Sequence, residues 1–429
     1  MESVKKIKQP FNLKDMPQVA GTNRWSVNGP WDLDAAFRAV EIDPTITIIS
    51  IEKDVINTPN TFANFILPKS IANPLRKLEI EGNGVIIYPK AGQTAPIWER
   101  SYTLATPPTA TQKENTIIIR NVNFVGTNAG GLCAGMLIEA ATDVIIDNCK
   151  FTNVTQGLIL SAVLGGYVTN CVANKINNIA YLTTYNNIWG TKGNAYSRNI
   201  TFNKCNSKVN KGAIVGFNIV ATPNVVLNDC IVDTEPIGIT ATPCYDREAT
   251  HDHVYFNSLG GILDTANAEL VNNFNIVNLT VLGPAATIVK LRLATTTVGA
   301  SSYAKINGLH INSNALSSLV VDADTSTVNS GYGHVYVYNV PYIHSTAKFK
   351  TGPGTGVSTS VSLDCATPPK GGMVWEFKET YDPNTIFSGT RWVNGEIPFY
   401  RLADNFSFSA ESKQYLTNFM RINNKTVSQ

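Results

Sequence analysis

The sequence predicts an all-β chain wound as a right-handed parallel β-helix, a solenoid of about nine coils on one continuous core. Three observations carry this expectation. One short turn pattern recurs along the chain, and four cysteines occupy the same position within it. The composition also suits a coiled β architecture, with 43% hydrophobic and 15% charged residues and an abundance of Asn, Thr, Ser and Gly. Those residues form tight turns and tolerate positive φ.

Segments before about residue 25 read as extended and basic, and 1–30 is expected to be an N-terminal attachment arm. Met1 to Pro10 contains no apolar core of a secretory signal, so folding in a reducing cytoplasm is the expectation. No run of about 18 apolar residues predicts a membrane span. A net charge of +2 gives no field that would draw nucleic acid or a membrane surface. Trp31 to Val40 reads as an amphipathic helix with Asp32 or Asp34 near its start, placed to plug the end of the rod. The run Ile46 to Ile51 then opens the first strands.

The repeat is two or three apolar or β-branched residues, a polar residue, Asn or a substitute, then a small apolar residue. It is read at Ile117 to Val122, Val144 to Cys149, Tyr167 to Cys171, Ile200 to Cys205, Val225 to Cys230 and Ile276 to Leu279. Weaker copies end at Leu309 and Val340. Counted at the small apolar position, the steps are 27, 22, 34, 25, 49, 30 and 31 residues. The step of 34 predicts one coil with an insertion. The step of 49 predicts two coils, with His253 to Asn257 as the degenerate copy between them. Period-2 alternation between Gly and Asn turns argues against helical repeats.

In this reading each Asn takes the sharp bend between two strands, where its left-handed tolerance is useful, and stacked Asn amides hydrogen-bond along the axis. The next residue points inward, so Cys149, Cys171, Cys205 and Cys230 form an interior column. A rung spacing of about 4.8 Å is too wide for disulfides, and a line offers no tetrahedral metal pocket. No cofactor and no metal are implied. A second strand per coil is expected at Gly157–Leu160, Gly212–Val215, Gly238–Thr240, Gly261–Leu263, Ile288–Leu291 and Leu319–Val321. The rod would be on the order of 40–45 Å long. The β-helix is assigned to 31–365, and the aromatic-rich remainder, 366–429, to a β-rich C-terminal cap or oligomerisation module.

The Asp32-Leu33-Asp34-Ala35-Ala36-Phe37 helix, the strand run after it, the segment Leu78 to Gly84 and the repeated turn resemble pectin-lyase-like β-helices. The likeness covers roughly residues 30–350. Within that group, the flanking arms and the missing signal resemble bacteriophage tailspikes and tail fibres. This resemblance implies a homotrimer that joins other virion tail or baseplate proteins through its N-terminal arm and binds, or cleaves, a host surface polysaccharide. Its place would be the virion. No Asn-Thr-Asp, paired Asp-Asp or Arg-Ile-Lys motif of the polygalacturonases is present, and Gly333-His334-Val335 is only loosely similar to their Gly-His-Gly. No catalytic residue carries over.

Candidate site residues therefore come from spacing. Glycoside hydrolysis uses two carboxyl groups about 5–9.5 Å apart, and Asp322 and Asp324, at i and i+2 on one face, meet that range. Lys290 and Arg292 stand in the same relation on the preceding rung, a patch that could hold an anionic sugar. The simpler reading is a solvated ion-pair ladder. Asp246, Glu248 and His251 belong to the richest ionisable cluster, which suits acid–base work or is a plain surface loop. Tyr185, Trp189 and Tyr196 lie in the inserted loop of the long coil, where their rings either stack on sugars or cover the rod. Three functions follow: a glycan-recognising tail appendage, a depolymerase on the same fold, or a structural fibre without ligand.

Overall fold

The computed structural model describes residues 23–57, 64–103, 106–126, 133–185, 196–209, 215–220, 222–234, 252–257, 272–282, 287–292, 301–312, 317–322, 332–338, 348–350, 359–363, 375–378 and 386–388. These residues are mostly β, and their strands fall into one sheet of 20 strands and one of 11. Pairing between the described strands is parallel, except where Trp375–Lys378 and Ile386–Ser388 return antiparallel to Thr359–Leu363 and Lys348–Lys350. Long parallel ladders of this kind are those of a coiled β solenoid. Among the described residues, no helix is long and apolar enough to cross a membrane.

Three ladders organise the chain. The first stacks Arg24–Val27, Ile48–Ile51, Lys77–Glu81, Thr116–Arg120, Asp143–Asp147, Gly165–Thr169, Ile200–Asn203 and Val225–Asn228, and continues into later strands. The second is made of shorter strands, among them Asn123–Val125, Lys150–Thr152, Val172–Ile176 and Asn206–Val209. The third runs through Trp98–Arg100, Ala134–Glu139, Gln156–Ser161, Ile179–Thr184, Val215–Val220, Asp252–Asn257, Thr287–Arg292 and Ser317–Asp322. Among the described residues, the coils from Ile48 to Asp322 therefore contribute to three ladders, not two. What the sequence presented as the second strand is the third, and a short strand intervenes. The segments 212–214, 238–240 and 261–263, also expected in strands, lie outside the described residues.

The step of 49 residues is corrected by the register. Val225 pairs directly with Phe274, and Asn228 with Val277, so a single coil separates Cys230 from Leu279. His253 to Asn257 belongs to the third ladder, between Val215–Val220 and Thr287–Arg292. The step of 34 is likewise one coil, because Gly166 pairs with Ile200.

Columns of apolar side chains fill the interior. Ile119, Ile146, Val168, Phe202, Leu227 and Ile276 stack inward from the first ladder, all fully buried. Phe124 lies parallel to Phe151 with centroids 5.3 Å apart, and Tyr181 lies similarly on Phe217 at 4.8 Å. Such ring pairs contribute beyond their area. The Tyr181 hydroxyl donates to the Asn206 carbonyl at 2.9 Å, which satisfies a polar group in the core.

Helix α1, Pro30–Val40, starts with Pro in its first turn, where the missing N–H costs nothing. Gly29 is its N-cap; Asp32 lies in the first turn and accepts the Asn28 N–H at 3.1 Å. Leu33, Ala36, Phe37 and Val40 form its buried face, and Phe37 meets the edge of Trp98 at 5.5 Å. The first-ladder strand Arg24–Val27 precedes this helix, so strand formation begins before Ile46. Helix α2, Ala110–Lys113, is held by a capping box between Thr109 and Gln112.

Candidate functional site

In six coils the corner between the first and second ladders is a single left-handed residue. Asn121, Asn148, Asn170, Lys204, Asp229 and Asn278 all have φ between 50° and 56° there. Asn203 and Asn228 lie one residue earlier, at strand ends, so the bend in those coils falls on Lys204 and Asp229. Amides climb the axis along both positions. Asn148 Nδ2 donates to Asn121 Oδ1 at 2.6 Å, Asn228 Nδ2 to Asn203 Oδ1 at 2.6 Å, and Asn278 Nδ2 to Asp229 Oδ1 at 3.1 Å. Directly after the bend stand Cys149, Cys171, Cys205 and Cys230, all free thiols with no exposed surface. Each Sγ reaches a main-chain carbonyl of the preceding coil, at 3.3 Å for Cys205 to Val168 and 3.5 Å for Cys230 to Phe202. Burial pushes the Cys171 and Cys205 thiols up, which favours their protonated form.

At the corner between the third and first ladders, Tyr185 and Tyr196 are brought together by an isolated antiparallel bridge, with ring centroids 5.9 Å apart. They close the neck of the inserted loop. Ser197 Oγ lies 2.8 Å from the Thr184 carbonyl beneath them. Tyr196 is 5% exposed, whereas Tyr185 keeps an intermediate exposure. Trp189 lies outside the described residues.

Lys290, Arg292 and Asp322 are placed by their backbones. Arg292 pairs with Asp322 on the next coil, and Asp322 with Lys350 on the one after. Lys290 pairs with Val320. The acidic position is thus flanked by two basic ones in register, while Lys290 stands two residues off. Asp324, Asp246, Glu248 and His251 lie outside the described residues. Among the described residues, no group of three His, Cys, Asp or Glu could hold a metal ion.

Two arrangements were not singled out from sequence. Arg100 ends the third-ladder strand Trp98–Arg100 and is fully buried. Its guanidinium donates to the carbonyls of Lys69 (2.9 Å), Gln112 (2.7 Å) and Ala140 (2.7 Å), one from each of three successive corners. Burial lowers its pKa, with Tyr102, Glu41 and Glu139 opposing that effect. Glu139 accepts the Tyr102 N–H at 2.9 Å. Through its three hydrogen bonds to main-chain carbonyls, Arg100 ties coils together.

The second is Tyr167, in Gly165–Thr169 on the first ladder, 44% exposed between Gly166 and the buried Val168. Ile145 and Thr201 flank it in register on the neighbouring coils. Its hydroxyl oxygen accepts Asn203 Nδ2 at 3.2 Å, and the same amide donates to Thr169 Oγ1 at 3.2 Å. The alternation Gly165, Tyr167, Thr169 against Val168 was the sequence signal for this outward ring.

No family model matches the chain, and no match is found among curated proteins or solved structures. What the structure defines is therefore a class of architecture, a mostly β chain of coiled parallel ladders.

Proposed function

We propose that this chain is a tail appendage of a virion, of the tailspike, tail-fibre or baseplate kind, which recognises a host cell-surface polysaccharide. The observation that carries this reading is the parallel ladder architecture, which offers flat outward faces with side chains at fixed spacing. The resemblance of residues 30–350 to pectin-lyase-like β-helices supports the same reading. In it, the coils wind right-handed, α1 covers the N-terminal end, residues 366–429 form a C-terminal module, and three chains associate. Caps of this kind protect the unpaired backbone at a solenoid's ends.

The test is association and binding together. Sedimentation of the native chain should give a trimer, labelled antibody should decorate virion tails, and surface polysaccharide of the host should retain the chain. A monomer that is absent from virions and binds no polysaccharide overturns the proposal.

A second reading, a polysaccharide depolymerase, draws on the pairing of Arg292 with Asp322. A basic group beside a carboxylate is useful chemistry for a glycosidic bond, given a second carboxylate such as Asp324. The Asp322→Ala/Asp324→Ala double variant should then release reducing ends from host polysaccharide at least about 100-fold more slowly, as expected for loss of acid–base catalysis. An unchanged rate eliminates the pair.

A further inference from the structure

We infer that the outward face around Tyr167 is a subsite for a neutral pyranose unit of a glycan. This deepens the proposed function and rests on it.

Tyr167 is unusual in position. Among the residues whose side chains are described, the other large apolar ones with high exposure are Trp31, Ile42, Ile56, Ile66 and Leu75, all near the N-terminal end. Tyr167 stands in mid-ladder, on a sheet face, with buried Val168 beside it fixing its strand. An exposed ring on a flat polar surface offers apolar area with hydrogen-bonding groups at its rim. That is the combination a pyranose needs, since its axial C–H face is apolar and its edge carries hydroxyls.

The groups around the ring fit such an edge. On the same strand, two residues before Tyr167 and on the same face, stands Gly165. A Cβ at Gly165 would come within 2.5 Å of Asp143 Oδ1, so the Asp143 carboxylate leans over this glycine. On the other side, Thr169 pairs with Asp147 and Asn203 on adjacent coils. Asn203 spends its amide hydrogens on the hydroxyl oxygens of Tyr167 and Thr169, while its own carbonyl oxygen accepts from Asn228 at 2.6 Å. Each of those two hydroxyls therefore receives one hydrogen bond and keeps its own hydrogen to donate. Same-face positions repeat at about 4.8 Å across coils and about 6.6 Å along a strand, the scale of one sugar ring.

Charge selects the kind of sugar. The ionisable residues beside Tyr167 on these two sides are Asp143 and Asp147, both acidic. Arg120, which pairs with Asp147 on the preceding coil, is engaged by Glu79. A carboxylated sugar would be repelled, whereas a hydroxyl of a neutral one can donate to either carboxylate.

The full chain and its Tyr167→Ala, Tyr167→Trp and Asp143→Asn variants would be run through native gels containing dextran, mannan or polygalacturonate. Circular dichroism melts establish that each variant is folded. At least one neutral polysaccharide should retard the wild-type chain and polygalacturonate should not. Tyr167→Ala should weaken that retardation about tenfold, the scale of one lost ring-stacking contact. Tyr167→Trp should keep it, and Asp143→Asn should weaken it a few-fold. If neutral polysaccharides do not retard the wild-type chain, or retard Tyr167→Ala equally, the inference is overturned. Retention by host polysaccharide with Tyr167→Ala unaffected removes this subsite and leaves the proposed function standing. A chain absent from virions and bound by no polysaccharide removes that function itself.

Discussion

At the scale of single residues, the bend between the first and second ladders sets the terms. The left-handed region disfavours most L-residues by roughly 1–2 kcal/mol, and Asn and Gly least. Asn121, Asn148, Asn170 and Asn278 meet that demand, and Gly308 takes it up with φ 80°. Lys204 occupies the same bend with φ 53° and no such tolerance. Lys204→Asn should therefore raise stability by about 0.5–1 kcal/mol, read as a shift of the urea midpoint. An unchanged or lower midpoint would show that the Lys204 stem packs well enough to offset its backbone cost. Arg100 is the opposite case, a side chain whose loss is severe. Arg100→Met would leave the Gln112 and Ala140 carbonyls without this donor and should cost about 3 kcal/mol or more. Arg100→Lys should recover little, since a compact ammonium lacks the extended planar guanidinium that spans the carbonyls of three coils.

Among the elements, the thiol column makes stability depend on alkaline pH. Burial pushes Cys171 and Cys205 up, and the neighbouring Cys205 thiol, together with burial, pushes Cys230 up. An unfolded cysteine ionises near about 8.5, while these three keep their protons in the folded chain. The stability they contribute is thus full below that pH and is lost as pH rises past it. Urea midpoints should fall above about pH 8.5, with up to about 1.4 kcal/mol per pH unit for each thiol. The Cys171→Ala/Cys205→Ala/Cys230→Ala variant should show a shallower slope, whatever its absolute stability. A slope equal to wild type would mean the column titrates alike folded and unfolded. The same column shows why some elements were legible in the sequence. One inward small residue after one left-handed residue is a strong local pattern, and it marked the first ladder correctly from Ile117 to Cys230. Second-ladder strands such as Lys150–Thr152 span three residues, too few for alternation to register. Asp252–Asn257 also alternates, but alternation does not say to which ladder a strand belongs, and only pairing resolved it. The candidate site was less legible. Tyr185 and Tyr196 were found because aromatic residues in an inserted loop are conspicuous. Tyr167 was overlooked because it sits inside the repeat itself, where its Val168 and Cys171 neighbours were read for the core. Arg100 falls before the first clear repeat copy, so nothing local marked its three carbonyl partners.

For the whole molecule, every rung joins residues distant in sequence. Val144 pairs with Gly166, 22 residues on, and Val225 with Phe274, 49 residues on. Loop-closure entropy must be met before such pairing is rewarded, so parallel coils fold slowly. Refolding after dilution from urea should take about seconds or longer, and unfolding and refolding curves recorded after brief equilibration should not coincide. Millisecond recovery of the full circular dichroism signal would contradict this. The single coil between Cys230 and Leu279 has a further consequence. It takes 49 residues of chain, yet Asn228 still meets Val277 one hydrogen-bonded step along the axis. Contour and span are thereby decoupled: additional chain between paired strands leaves the reach along the axis unchanged. The solenoid measures distance as a ruler does, in whole graduations, and only a completed circuit adds one.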